Sequence, residues 1–379
     1  MTLKDVFEFA DELGPAKIIH VYEPSINLKA VMVVDNVAMG PSIGGLRMAP
    51  DVSTEECFRL ARAMTLKSAA AGLQHGGGKS VLYGDPKMPK PEKEKLVRAF
   101  ASSLRYAHEY IFGPDMGTNE ECMAWVKDEI GRSVGLPREI GGIPLDEVGA
   151  TGWGISNAVE VALPYCKFKL EGARVVVQGF GAVGRHAARY LGRKGAVLIA
   201  ANDSRGTIHN PKGIDIETLI GLKDAGNSVI NYSDGVKLER DAVIDIECDI
   251  WIPAARPDVI REDNVHRLRT RLIAQGANIP FTPGAEAYLH KKGVLCIPDF
   301  IANAGGLICA AMEYRGSTEA AVFQVIEEKV RYNTGVVLEE SAKSSIMPRE
   351  AATRLAITRI KKAMGLRRWS LFSSAPGFV

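Results

Sequence analysis

Residues 27–37 carry a nearly unbroken run of β-branched and other apolar side chains before Gly40-Pro41, a pattern that predicts a strand ending in a loop. Ser53 and Thr54, followed by Glu55 and Glu56, mark a helix N-terminus, and the helix continues through Leu60 and Met64 toward Lys67. A Gly-rich loop, Gly76-Gly77-Gly78-Lys79, leads into an extended segment at 80–83. Helical periodicity follows over 91–110, then a Gly- and Pro-interrupted loop over 111–118. From Gly149 the pattern changes. Residues 151–162 read as a helix, 174–177 as a buried parallel strand rich in valine, 182–193 as a helix and 197–201 as the next strand. Shorter apolar runs at 249–253, 272–275 and 294–298 predict further strands, and the last part of the chain is helical and amphipathic. Alternating strands and helices of this kind define an α/β class.

A chain of 379 residues exceeds one ordinary core, so two domains around a cleft are expected. Hydrophobic content of 46% and charged content of 24% are those of a globular protein and exclude a disordered chain. A net charge of +2 gives no electrostatic case for nucleic acid as a partner, and the basic stretch at 359–368 reads as a solvated helix face. No apolar run approaches the roughly 18–20 residues of a spanning helix, so no membrane partner is expected. The N-terminus is amphipathic and acidic, unlike a secretory or transit peptide, which predicts a cytoplasmic protein. Six cysteines are scattered in apolar contexts and read as reduced packing residues. No ligand cluster calls for a metal.

Gly179-Phe180-Gly181-Ala182-Val183-Gly184 lies between a predicted strand and a predicted helix. In that βαβ setting the three glycines allow a tight turn, a close backbone approach to a pyrophosphate, and close packing of helix on strand. The helix N-terminus offers free N–H groups to the phosphates. Asp203, at the end of the next strand, would accept hydrogen bonds from the adenosine ribose and repel a 2′-phosphate, which favours NAD. Arg205 could pair with that phosphate instead and keeps NADP open.

Lys67 and Lys79 are two cations set close to apolar sequence, a placement that demands a counter-charge or a chemical role. The segment around them, together with Gly40-Pro41-Ser42-Ile43-Gly44-Gly45-Leu46-Arg47-Met48, Gly113-Pro114-Asp115-Met116-Gly117-Thr118, Ala150-Thr151-Gly152, the 179–184 turn and Asn303-Ala304-Gly305-Gly306, resembles the glutamate/leucine/phenylalanine/valine dehydrogenase superfamily. The resemblance runs from about Val33 to Tyr314. It implies oxidative deamination of an L-amino acid to its 2-oxo acid and ammonium, with reduction of a nicotinamide cofactor. It also implies an N-terminal substrate and oligomerisation domain over 1–148, to which helices of 341–379 return, a Rossmann-type domain over 149–340, and a homo-oligomer, hexamer or octamer.

By the same correspondence Lys67, with the backbone of Gly44 and Gly45, holds the substrate α-carboxylate, Lys79 activates water and Asp115 shuttles protons. Asn303 serves substrate and nicotinamide, with Thr151 and Asn278 beside the cofactor. Outside that pattern, Lys67 could satisfy helix-end carbonyls, Asp115 its own turn, and Asn303 a helix cap. His75 is not required by the resemblance. A non-catalytic sensor of an amino acid or dinucleotide on the same fold is the reading of another class.

In the glutamate-specific branch a lysine stands just before the Gly-Gly-Leu-Arg motif and a serine lies a turn beyond Asn-Ala-Gly-Gly, and both hold the side-chain carboxylate. Here the residues are Ile43 and Ala310. A buried carboxylate met by neither costs several kcal/mol, on the order of 2–7. Ile43, Gly113, Leu307 and Ala310 therefore predict an apolar pocket and a nonpolar L-amino acid, phenylalanine or a large aliphatic ahead of valine, with glutamate as the alternative.

Overall fold

A computed structural model describes residues 6–366; the expected return of 367–379, with Arg367 and Arg368, lies outside the described residues. Two compact units form. One comprises Met1–Pro144, Leu307–Val322 and Thr353–Val379, the other Leu145–Gly306 and Phe323–Ala352. Relative to the expected domains, 307–322 joins the first unit and the return begins at Thr353 rather than at 341. Among the described residues no helix is long and apolar enough to cross a membrane.

The first unit contains β1 (Lys17–Glu23), β2 (Leu28–Asn36), β3 (Ser42–Ala49), α1 (Thr54–Ala70), β4 (Gly76–Tyr83), α2 (Lys90–Ser103), β5 (Tyr110–Pro114) and α3 (Glu120–Ile130). The sheet order is β1-β2-β4-β3-β5, antiparallel through β1, β2 and β4 and parallel through β4, β3 and β5. The apolar run of β2 is explained by burial on both faces. Leu28, Ala30, Met32 and Val34 join Leu46, Met48, Val97, Phe100 and Phe112, while Val31 and Val33 join Val81 with Cys57 and Ala61 of α1. Helix α1 starts as expected, with the Ser53 side chain accepting from the Glu56 N–H.

Three segments depart from the expectation. The Gly-rich run at Gly76–Gly78 is strand rather than loop, the motif around Gly44-Gly45 is strand β3, and Tyr110–Pro114, expected within a helix and a loop, is strand β5. The glycines serve close packing. A Cβ on Gly77 would lie 2.0 Å from the Thr65 backbone nitrogen of α1, and one on Gly78 2.8 Å from the Tyr110 ring. Glycine is read as a turn signal because it lacks a side chain, and for the same reason it lets a helix lie on a strand.

The second unit contains α4 (Leu145–Val148), α5 (Ala150–Cys166), β6 (Arg174–Gln178), α6 (Ala182–Arg193), β7 (Val197–Asp203), β8 (Gly206–His209), α7 (Ile216–Asp224), β9 (Val236–Leu238), β10 (Ile250–Pro253), β11 (Leu272–Ala274), α8 (Pro283–Lys291), β12 (Leu295–Ile297) and α9 (Asp299–Ala302). Its sheet runs β12-β11-β10-β6-β7-β8-β9, parallel from β12 to β7 and antiparallel at β8 and β9. This is a Rossmann-type sheet. Its strand order reverses between β6 and β10, which is where such sheets bind ligands. The chain continues as α10 (Gly305–Tyr314), α11 (Glu319–Ser344) and α12 (Pro348–Leu366).

Candidate active site

Period-two alternation sorts the first sheet's site residues onto one face. Leu46, Met48, Tyr110, Phe112 and Leu82 point into the core shared with α2 and α3, so Ile43, Gly45, Arg47, Lys79, Ile111 and Gly113 lie on the opposite face, toward α1. Register places Ile43 beside Gly77 and Ile111, and Gly45 beside Gly113. Lys67 stands half-buried in the last turn of α1, the helix that packs on that face.

Lys79 is 5% exposed, and its Nζ lies 2.9 Å from Asp115 Oδ2. Arg47, a motif residue to which neither its spacing nor the family resemblance assigned a role, donates from Nε to the same oxygen at 2.8 Å and from Nη1 to Glu56 at 2.6 Å. Asp115 Oδ1 has no protein partner among the described residues, so one oxygen of the carboxylate holds two cations and the other is left to accept. Burial pulls the Lys79 pKa below the ordinary lysine value, against the attraction of Asp115 and with Arg47 adding to the fall. Burial alone would raise Asp115, but Lys79 and Arg47 outweigh it and hold the carboxyl below its usual range. Thr118 fixes the turn by donating to the Leu46 carbonyl and accepting from the Asp115 N–H. Gly45 is required by proximity, because a Cβ there would sit 2.8 Å from Asp115 Cβ and 3.0 Å from Lys79 Nζ.

Ile43 is buried, and a Cβ at Gly113 would make only ordinary contact, 3.5 Å, with Val134. Leu307 and Ala310 are buried one turn apart on α10. A turn further on, Glu313 accepts from the N–H groups of Gly135, Leu136 and Ile143 at 2.7, 3.2 and 2.8 Å, which anchors α10 to the segment after Val134. No short motif signalled that role. His75 is buried and held at about 4, chiefly by burial; its Nδ1 meets the Pro41 carbonyl at 3.0 Å, so it carries the proton there and acts as a neutral clamp on the loop before β3.

In the second unit the glycine turn has the geometry of a pyrophosphate cradle. Gly179 has φ +96°, and a Cβ on it would meet Ala255 at 2.6 Å; one on Gly184 would meet the Gly179 carbonyl at 2.1 Å. At Gly181, the N-cap of α6, a Cβ would meet nothing within 4 Å and no side chain caps the helix. The first-turn N–H groups at Ala182, Val183 and Gly184 therefore face open space, which fits an anion. Phe180 is buried beneath the turn. Thr151 lies against Gly306, where a Cβ would come 2.9 Å from its Oγ1. Asn303 caps α9 and donates to the Gly276 carbonyl at 3.2 Å and to Asn278 Oδ1 at 3.0 Å, and its own buried Oδ1 has no partner among the described residues.

A cavity of about 580 Å³ opens beside the turn, lined by Gln178, Phe180, Asp203, Lys223, Arg240 and Arg256 among others. Asp203 accepts from Ser228 Oγ and Arg205 N–H on Oδ1 and from Lys223 Nζ and Val229 N–H on Oδ2. Burial would raise its pKa, but these bonds, led by Lys223, hold it at about 2. The Arg205 side chain is exposed and does not line the cavity.

A buried lysine–carboxylate pair in one unit and a dinucleotide cradle on a doubly wound sheet in the other define the class of nicotinamide-dependent oxidoreductases. Residues 20–132 match the Glu/Leu/Phe/Val dehydrogenase dimerisation domain, and residues 141–368 match Glutamate/Leucine/Phenylalanine/Valine dehydrogenase. The glutamate dehydrogenase of Aeropyrum pernix is 37% identical over 358 residues, 88% of this chain and 85% of that protein. The NADP(+)-dependent glutamate dehydrogenase of Pyrobaculum calidifontis is 34% identical over 365 residues, 89% and 86% of the two chains. The NAD-specific glutamate dehydrogenase of Staphylococcus aureus is 33% identical over 353 residues, 88% and 85%. Among solved structures, the hetero-hexameric glutamate dehydrogenase from Thermus thermophilus in its Leu-bound form superposes with a TM-score of 0.83 at 28% identity, covering 94% of this chain and 91% of that one. The chain belongs to the glutamate/leucine/phenylalanine/valine dehydrogenase family and is an amino-acid dehydrogenase acting on a CH–NH2 group with NAD or NADP.

Proposed function

We propose that the chain catalyses the reversible oxidative deamination of a nonpolar L-amino acid, of the phenylalanine, leucine or valine type, and does so as a homo-oligomer, hexamer or octamer. The observation that carries the substrate class is Ile43, 3% exposed on the face that holds Lys79 and Gly113. With Leu307 and Ala310 it offers a substrate side chain apolar surface, where a carboxylate would lose its hydration without gaining a cation. The dimerisation-domain match and the hexameric relative support the assembly.

In this reading Lys67 and the Gly44-Gly45 backbone hold the α-carboxylate. NAD or NADP, when bound, would supply the acceptor for the hydride of the α-carbon, whose loss turns the substrate amine into an iminium. Lys79, whose pKa burial lowers, takes in its neutral form a proton from water as the water attacks that carbon. Asp115 Oδ1 first takes a proton from the ammonium, later returns it to the departing amine, and takes up the hydroxyl proton of the water adduct as the C–N bond breaks and the carbonyl forms. Asn303, through its free Oδ1, orients the amide end of the cofactor or the substrate amine.

Two measurements check this reading. In a panel of L-amino acids, kcat/KM for leucine or phenylalanine should exceed that for glutamate by about 100-fold, as expected when an uncompensated carboxylate costs roughly 3 kcal/mol. The glutamate dehydrogenase names of the relatives favour the opposite order, and a higher value for glutamate would refute the apolar-pocket proposal. The pH dependence of kcat should show a rising limb with its midpoint below 10.5, the ordinary lysine value, because the depressed pKa of Lys79 makes the neutral amine available at lower pH. A limb at or above that value would count against Lys79 as the base.

A further inference from the structure

Asn303 has its hydrogen bonds sorted by what surrounds it. Both hydrogens of its Nδ2 are spent, on the Gly276 carbonyl at 3.2 Å and on Asn278 Oδ1 at 3.0 Å, and turning the amide over would set oxygen against oxygen. What remains is Oδ1, an acceptor without a partner among the described residues on a side chain that is almost fully buried. The site adjoins the dinucleotide turn: a Cβ on Gly276 would stand 3.1 Å from Val183 Cγ1 and 3.2 Å from the Pro253 carbonyl at the end of β10.

Asn278 is exposed, and the backbone of the next residue holds it in place. Ile279 has φ +49°, a left-handed conformation that any Cβ opposes, and this residue is also β-branched and followed by Pro280, which disfavours it further. Its side chain is exposed, so packing offsets little of the strain. Two hydrogen bonds oppose it instead. The Ile279 N–H donates to Asp299 Oδ2 at 2.7 Å, and its carbonyl accepts from the Asp258 N–H at 2.9 Å. Asp299 is itself fixed: Oδ1 accepts from Arg349 Nη1 at 2.9 Å, and its N–H donates to Gln275 Oε1 at 3.2 Å, an oxygen that Arg349 Nη2 also reaches at 2.7 Å. Arg349 Nε and Gln275 Nε2 both donate to Glu286, and Gln275, Glu286 and Asp299 are buried. The Asp299 carbonyl also accepts from the Asn303 N–H at 2.7 Å, so one residue ties down both asparagines.

We infer that Asp299, held by Arg349 and Gln275, is a positioning residue for the nicotinamide end of the cofactor: it keeps Ile279 left-handed, so that Asn278 fixes the Asn303 amide with its acceptor free. Strain of this kind persists where surrounding structure enforces it and clusters at functional sites. A fixed acceptor selects a donor, and the carboxamide NH2 group is the donor at that end of either dinucleotide. Asn303 shares its unit with the glycine turn, whereas the Lys79–Asp115 pair that handles the substrate amine belongs to the other unit. The inference rests on the dehydrogenase reading and adds Asp299 and Ile279 to it.

Calorimetric titration of the purified full-length enzyme with NAD+, NADP+ and ADP tests this without turnover. In Asp299→Asn the amide must turn its NH2 group toward either Arg349 or the Ile279 N–H, donor against donor, which frees the turn. The dinucleotide that the parent binds should weaken by about tenfold, and ADP, which lacks the nicotinamide, by less than about twofold. Adding Ile279→Gly should restore dinucleotide affinity to within about threefold of the parent, because without a Cβ the turn no longer depends on the carboxylate, while the thermal midpoint stays lowered by the broken Arg349 contacts. Equal losses for ADP and dinucleotide, parent-like binding by Asp299→Asn, or no rescue by glycine overturns the inference and leaves the dehydrogenase assignment standing. Asn278→Ala, at an exposed position, should show the same selective loss, and unchanged dinucleotide affinity there overturns the inference even where Asp299→Asn does not fold. If the parent binds neither dinucleotide, both this inference and the reading beneath it fail.

Discussion

Replacing Asp115 by Asn should lower kcat by at least about 1,000-fold and leave the protein folded. The amide keeps the shape of the side chain but can neither take the ammonium proton nor return one, and it removes the counter-charge of Lys79. Structural damage should be small. Arg47 keeps its second partner, Glu56, at 2.6 Å, and Lys79, already pulled toward its neutral form by burial, can remain in place uncharged. Circular dichroism and cofactor titration of the variant should match the parent, because the cofactor cradle lies in the other unit. Turnover within about tenfold of the parent would remove Asp115 from the proton path. A loss of turnover that accompanies loss of fold would be diagnosed by the same spectra, and Asp115→Glu, which keeps the acid but moves it, should then recover stability with only partial activity.

The second large effect is on stability. Gly77→Ala should lower the thermal midpoint by roughly 6 °C or more, the shift expected from overpacking worth about 2–3 kcal/mol in a unit of this size. The added Cβ would lie 2.0 Å from the nitrogen and 2.4 Å from the Cα of Thr65, backbone atoms inside α1 that no rotamer change can move aside. Either α1 withdraws from the sheet or β4 bends, and since the helix carries Lys67 and the strand Lys79, activity should fall with stability. Gly221→Ala is the matched control. It lies within α7, where a Cβ meets nothing within 4 Å, so the change should stabilise by about 0.5–1 kcal/mol through helix propensity alone. Equal midpoints for the two variants would mean that the close approach of α1 to β4 is not a constraint on the fold.

The parts of the molecule that were legible in the chain are those whose signal is local. The unit from β6 to β7 could be read almost to the residue, since strand, glycine turn, helix and acidic strand end follow one another within about 30 residues and each has its own pattern. Strands β3 and β5 and the start of β4 were not legible. Their glycines and prolines carry the local signature of loops, and only the bodies packed against them, Thr65 for Gly77 and the Lys79–Asp115 pair for Gly45, explain why strand is the stable state there. Lys79 and Asp115 were found through family motifs. No local pattern predicts that residues so far apart share one oxygen with Arg47.

The amino-acid sequence by itself determined the α/β class, the dinucleotide turn and the family motifs, and it named the residues proposed to bear the chemistry, because periodicity, turn chemistry and motif spacing are properties of neighbouring positions. What only the tertiary structure decided is the electrical state of those residues. Lys79 is an ordinary lysine until β4 buries it. Asp203 is an ordinary acid at a strand end until folding brings Lys223, Ser228 and Val229 onto it, because charge and hydrogen-bond capacity are set by whichever groups arrive in space.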